Sequence, residues 1–478
     1  MSSAPTTDSW ISRAFAPVDA AALALHRILF GLLLAGGLTR FLWNGWVEIL
    51  YGKPSFHFRY FGLDFVPVPS PTVITALYVG AIALALMLAA GLWTRLSAAL
   101  FTLVFAWLEL LDVTNYLNHY VLVTLLAGLH VIVPSGRVWS IDAWRAHRAG
   151  APLAETAPAW TLGLLRFQVA CVYLFAALAK AQPDWLLHGQ PLGIWLASRT
   201  ETPIIGPFLD LPGAALLFSW AGFLYDLTIP VWLLNRRTRW LAWPVLLGFH
   251  GMTAVFFDIG LFPWLMTINS LLFFPADGPR RVLAAGLRLF GRSTRAAIEL
   301  DPSTTRSSRP RLVLTLLALF AATQVLVPLR GHLYGGDVLW HEQGMRLSWR
   351  VMVREKNGAI TYRVRRRNDP RGADAHEWLV NPRRYLEWRQ LKEMSGQPDL
   401  ILQLAHHIAE DYRRRGLDVE VRVDALVSLN GRPARRLIDP DRDLTRIRDG
   451  LARADWILPA PTEPPLAAGR ASSARSGG

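Results

Sequence analysis

Lysine and cysteine are nearly missing from this sequence. Its 50 lysines and arginines include only four lysines, Lys53, Lys180, Lys356 and Lys392. Arginine stays protonated, whereas a buried lysine can give up its proton and act as a base. A lysine beside an apolar block is therefore a candidate base in so arginine-rich a chain. The one cysteine, Cys171, lies within an apolar block, which excludes an intramolecular disulfide and a cysteine metal site. Soluble-enzyme fingerprints are missing too. There is no GxGxxG, Walker loop, HExxH or GxSxG, and no metal site is expected. No internal repeat is visible, whereas a transporter built from inverted halves would show one.

What is present is apolar surface in long blocks. The 478 residues are 52% hydrophobic and 18% charged, with 20 Trp and 22 Phe. That composition predicts a polytopic α-helical membrane protein of about nine spans with a C-terminal extracytoplasmic α+β domain. The blocks run over 21–43, 72–94, 97–112, 118–134, 159–181, 212–234, 239–257, 260–275 and 311–329. The expected division is a cytoplasmic segment 1–20, a membrane domain 21–329, an α+β domain 330–460 and a disordered tail 461–478. The first block is long and carries Arg27, so it reads as a retained span and not a cleaved signal.

The net charge of +14 does not indicate nucleic acid. Much of it falls in alternate loops, at Arg95, at Arg137 to Arg148, at Arg236 to Arg239 and from Arg280 to Arg311. Positive loops face the cytoplasm. The N-terminus is then inside the cytoplasmic (inner) membrane and the tail outside it. The segment 137–150 reads as an interfacial helix. In the tail, Leu347–Val353 and Ile360–Arg366 alternate like paired strands with a hairpin at Asn357-Gly358. Helices are expected over 384–394 and 399–415, and strands over 376–380, 419–428 and on to Ile438.

Four features fall on the outer side: the 44–71 loop, the turn around Asn118-His119, the end of the fifth span at Lys180, and the Asp258-Ile259-Gly260 turn. Each has two readings. Lys180 is either an anchor reaching the headgroups or a base. His119 is either an interfacial polar residue or a functional imidazole. His130 lies eleven residues on, along the same helix face. Haem would need facing histidines on two spans, and no matching pair is evident on a second one. His406-His407 has no partner at metal-ligand spacing. Asp258 reads as a helix cap, and the aromatics around it, Phe256, Phe257, Phe262 and Trp264, are either an interface belt or the lining of an apolar slot for a flat lipid-soluble ring. Ser348-Trp349-Arg350-Val-Met-Val-Arg354 is either a solvated strand face or a clamp for an acidic substrate.

From about Leu25 to Leu458 the chain resembles the vitamin K-dependent gamma-glutamyl carboxylases, in the shorter bacterial form built on the horizontally transferred transmembrane domain. The resemblance rests on an ordered set: His26-Arg27-Ile-Leu-Phe-Gly, Asp112 to Tyr120, Ala179-Lys180-Ala-Gln-Pro-Asp184-Trp185, Phe257 to Phe262, Ser348-Trp349, Asn381-Pro382 and Ile438-Asp439-Pro440. It implies a membrane enzyme that oxygenates a reduced vitamin K or menaquinol and uses the base so formed to remove a γ-proton from peptide glutamate. Carbon dioxide then adds, leaving γ-carboxyglutamate and the quinone epoxide. By resemblance, Lys180 starts the quinol reaction and His119 supports the carbanion step. Asn118 holds the quinone oxygen, and Ile259, Phe262 and Met266 line the quinone slot. Ser348, Trp349 and Arg354 place the glutamate. Its partners are then membrane lipid, the quinol, O2 and CO2, and a glutamate-containing peptide. Two positions depart from the animal pattern, where a tyrosine and a histidine stand at Met345 and Arg354. The disulfide between the two parts is missing as well. A quinol epoxidase without carboxylation and a non-catalytic scaffold or transporter are the alternatives.

Overall fold

The computed structural model describes residues 9–466 except 204, 210, 293–296, 301–304, 306, 369 and 372–375. Helices come first: α1 (Ala21–Trp43), α2 (Pro71–Ala90), α3 (Thr94–Glu109), α4 (Asn118–Ile132), α5 (Ile141–Arg148) and α6 (Ala159–Lys180). They continue with α7 (Ala214–Leu234), α8 (Arg239–Phe256), α9 (Phe262–Ser270), α10 (Gly278–Leu289) and α11 (Pro310–Leu329). Among the described residues, five helices are long and apolar enough to cross a membrane: α1, α2, α6, α7 and the helix over Pro310–Tyr334. Asn118–Ile132 and Phe262–Phe273 are apolar but shorter. The chain is an integral membrane protein with a helical core. The basic α5 lies where an interfacial helix was expected.

Small residues and one buried cation set the helix packing. A side chain at Gly31 would meet the Ala85 carbonyl at 2.6 Å, so α1 and α2 touch through their backbones. Arg27, fully buried, donates to the Leu88 and Ala89 carbonyls at 2.8 Å each and so caps the C-terminus of α2. Asp142, on α5, accepts from the Trp93 and Thr94 amides at 2.8 and 2.7 Å and caps the start of α3. His26 does face His130, but their nitrogens are 3.0 Å apart and bonded to each other. No iron fits between them.

A two-stranded ladder, β1 (Pro17–Asp19) with β2 (Thr156–Pro158), ties the first helix to α6. The C-terminal domain is a four-stranded antiparallel sheet, order β4-β3-β5-β6, from β3 (Lys356–Arg366), β4 (Glu377–Val380), β5 (Val419–Leu429) and β6 (Arg435–Arg436). Helices α12 (Trp388–Met394) and α13 (Pro398–Arg414) accompany it. Val419, Val421, Val423, Ala425, Val427 and Leu429 alternate inward along β5, toward Leu400, Leu404 and Ile408 of α13. Asn430 and Gly431, at φ 51° and 82°, make the turn after β5.

One expected hairpin is absent. Asn357 and Gly358 lie inside β3, paired with Ser428 and Val427 of β5, and 347–353 is not a strand. Leu347, Trp349 and Met352 have φ of 60°, 54° and 52°, which no strand tolerates. Alternation misled because Trp349 is buried in the helical core and not in the sheet. Phe58 and Val113 make the reverse crossing, into the C-terminal core. Of the tail, residues 461–466 run beside Arg432, which donates to the Glu463 carbonyl at 2.7 Å, and 467–478 lie outside the described residues. So do residues 1–8 of the N-terminal segment.

Candidate active site

Lys180 is the last residue of α6, and its side chain does not run outward. Burial leaves it 7% exposed. Its amine folds back along its own helix to the Ala176 carbonyl (3.4 Å) and donates to Asp226 Oδ2 at 2.7 Å. The Trp185 ring lies 5.3 Å away. An anchor reaching for headgroups would extend away from the core, so this geometry is that of a buried pair. Asp226 comes from the middle of α7 and is equally enclosed, at 5% exposure. The sequence reading passed over it. An acid inside an apolar block is itself a functional signal, because burying an unpaired charge in a membrane is costly.

The pair opens into an apolar chamber of about 90 Å³. Trp185, Trp195, Phe249 and Phe257 supply flat walls, and Ile259 and Phe262 close one side. Val351 and Met352 of the C-terminal domain form part of the wall. Two folded units therefore share one chamber.

His250, on α8, is the second residue not anticipated. It is 2% exposed and lines the chamber. Its Nε2 lies 2.9 Å from the Tyr173 hydroxyl and 3.4 Å from that of Tyr225. Its Nδ1 is buried with no partner among the described residues. Whichever nitrogen carries the proton, one imidazole nitrogen is left buried without a hydrogen bond. A buried polar atom left in this state calls for an explanation such as a ligand. Tyr173 and Lys180 lie on one helix, and the amine has returned to the level of Ala176.

The other expected residues sit nearby but outside the chamber wall. Met266 is fully buried one turn below Phe262, in the helical core. Asn118 accepts from the Tyr116 hydroxyl at 2.8 Å and donates to the Arg350 carbonyl at 3.3 Å, so its amide joins the two units. His119 makes no hydrogen bond to any described residue, and its ring is 6.1 Å from Phe262. Phe262 is in turn 6.3 Å from His250 and separates the two imidazoles. Ser348 donates to the Met345 carbonyl and is buried, as is Trp349. Arg354 is paired with Glu342, which also holds Lys356 at 3.0 Å. Burial draws the Lys356 amine below its ordinary value, against the Glu342 charge.

Comparison with known families gives two matches in chain order. A family model described as the HTTM domain matches residues 15–278, more than half of the chain. A second, described as the lumenal domain of vitamin K-dependent gamma-carboxylase, matches residues 309–463. No solved structure matches. Among the described residues there is no group of metal-binding side chains.

Proposed function

The chain belongs to the HTTM family, with the lumenal domain of the vitamin K-dependent gamma-carboxylases, and from that premise we propose that it couples quinol oxidation to carboxylation of an acidic side chain. The observation that carries this reading is the buried Lys180–Asp226 pair opening into an aromatic chamber with an unpartnered imidazole nitrogen. A reduced vitamin K-type quinol bound there supplies, with O2, a base strong enough to take a γ-proton from glutamate, and CO2 adds to the carbon so exposed. The residues present fit such a ring. Trp185, Trp195 and Phe257 offer flat apolar faces, and His250 Nδ1 offers one hydrogen bond to a ring oxygen.

Lys180 passes its own proton to Asp226 Oδ2, from which it lies 2.7 Å, and its Nζ then takes the proton that starts the quinol reaction. His250, held by the Tyr173 hydroxyl, fixes the other edge of the ring. The apolar walls keep water from the reacting carbon. His119, free of hydrogen bonds behind Phe262, stands at the side from which the acceptor reaches the chamber. Asn118 supports the site through the Arg350 carbonyl. Ser348 and Trp349 shape the loop that carries the acceptor, and Met266 backs Phe262.

This reading has the nine apolar helical blocks cross or enter the membrane, with the N-terminus cytoplasmic and the sheet domain extracytoplasmic. The arginine-rich alternate loops support it. Labelling by an impermeant reagent from the outer side should reach Phe61→Cys and not His147→Cys, and the reverse pattern refutes the sidedness.

The deciding experiment supplies reduced vitamin K or menaquinol, a glutamate peptide and labelled bicarbonate to the purified protein. Epoxide and fixed label are expected, both falling at least ~100-fold in Lys180→Ala. Quinone binding, read by quenching of tryptophan fluorescence, should weaken ~10-fold in His250→Phe, the loss of one hydrogen bond of about 1–1.5 kcal/mol. Epoxide without fixed label identifies a quinol epoxidase. Activity indifferent to Lys180→Ala defeats the role given to Lys180, and no product at all defeats the proposal and leaves a scaffold or transporter.

A further inference from the structure

The segment 346–356 carries four cations, and three are already committed. Arg346 pairs with Asp399 at 2.6 Å and donates to Gln397 at 2.6 Å. Arg354 pairs with Glu342, and Lys356 is held by the same carboxylate at 3.0 Å and by the Trp340 carbonyl at 2.7 Å. Arg350 is the exception. Its side chain makes no ion pair and no hydrogen bond with any described residue, and its Nε is buried without a partner. The acid it senses is Asp337, whose Oδ1 accepts from the Leu339 amide at 2.8 Å and caps a short helix. Burial pulls the Arg350 guanidinium below its ordinary value, opposed only by Asp337.

The backbone around Arg350 is held in place. Leu347, Trp349 and Met352 occupy the left-handed region, at φ 60°, 54° and 52°. Non-glycine residues in that region store strain, and such strain collects at binding sites. The Trp349 side chain locks into the helical core on one side of Arg350. On the other, Val351 and Met352 belong to the chamber wall. The Arg350 carbonyl itself accepts from Asn118. At 3.8 Å per residue, Arg350 is within about 8 Å of chain from the wall that Lys180 faces. A half-buried guanidinium with no acid paired to it is unfavourable unless something binds it, and its planar fork matches a carboxylate.

We propose that Arg350 binds the carboxylate of the acidic acceptor, at the rim where the C-terminal domain meets the chamber. This rests on the carboxylase reading and names the residue that recognises its substrate class. It also moves that task from Arg354, whose guanidinium is paired with Glu342, to the neighbour that lacks a hydrogen-bonded partner. Substitution of Arg350 removes no hydrogen bond or ion pair to a described residue, so its variants should fold.

The test uses the full chain in nanodiscs, a fluorescent peptide with a single central glutamate, and the same peptide with glutamine. Peptide affinity is measured by polarisation without quinol. The glutamate peptide should bind at least ~10-fold more weakly to Arg350→Gln, with Arg350→Lys intermediate, and Arg350→Glu should prefer the glutamine peptide. Carboxylation by Arg350→Gln should fail through a higher KM, with kcat changed by less than a few-fold. Glutamate-peptide affinity within twofold of wild type in Arg350→Gln, with an unaltered unfolding temperature, overturns the assignment. Equal binding of the two peptides by the wild type also overturns it. The two levels separate cleanly: wild-type epoxide with an indifferent Arg350→Gln defeats only this inference, whereas a wild type that makes no epoxide defeats the reading of the chamber.

Discussion

Lys180 and Asp226 show how much one residue's meaning depends on its partner. A lysine at the end of an apolar block is ambiguous in the sequence, since anchoring and proton transfer both place it there. The 2.7 Å contact with Asp226, from a helix forty-six positions away, removes the ambiguity. Two buried charges stabilise one another only as a pair, and removing one leaves the other unpaired at a cost of about 3–5 kcal/mol. Lys180→Met and Asp226→Leu should each lower stability by that amount, while the double variant should recover to within ~1 kcal/mol of wild type. Reversible unfolding in detergent measures all three, and additive losses would show that the two groups are not coupled. Quinol oxidation should be absent from the double variant even though it folds. His250 carries the same lesson, because what singles it out is an unpartnered nitrogen, which no sequence pattern records.

Elements were legible where one periodicity ruled and illegible where two cores competed for a residue. The β5 strand and α13 were readable because each buries a single face in a single core. The 347–353 segment was not, because Trp349 belongs to the helical core and Val353 to the sheet core. The hairpin after β5 depends on a contact of the same cross-unit kind. Asp184, just after α6, accepts from Arg432 at 2.6 Å and from Asn430 at 2.8 Å. Asp184→Ala leaves a mostly buried guanidinium and an amide without their acceptor, and should cost about 3 kcal/mol. Limited proteolysis should then cut near 430–436 faster than in wild type, while Asp184→Asn retains part of the protection. An unchanged cleavage rate would mean that the hairpin is held by the sheet alone.

At the scale of the whole molecule, the two units are joined by interlocking and not by a linker. Phe58 and Val113 enter the C-terminal core, Trp349 enters the helical core, and Phe56 lies 4.3 Å from the His407 ring on α13. That last contact makes the junction sensitive to acid. Burial, and then the charge of Arg414, draws His407 below its ordinary 6.5, against Asp411 and Glu410. The folded state therefore prefers the neutral ring. No penalty exists above the unfolded value of 6.5, and one grows as pH falls below it toward the folded value. Hydrogen exchange in the 53–66 loop should rise on going from about pH 7 to about pH 5, and His407→Phe should flatten that rise. A loop whose exchange is indifferent to His407→Phe would place the acid sensitivity elsewhere.

By itself the sequence determined the class of molecule, the positions of the apolar helices, the sheet domain that follows them, and Lys180 as the lysine to watch. These are properties of composition and local period, and burial of an apolar face depends on little else. Only the tertiary structure decided which cations are free. Arg346, Arg350, Arg354 and Lys356 look alike along the chain, and three of them are paired with acids that folding brings to them, Arg354 and Lys356 sharing one. Charge pairing acts over a few ångströms in space and is blind to distance along the chain. For that reason the free guanidinium of Arg350 and the buried partner of Lys180 came to light only in the folded molecule.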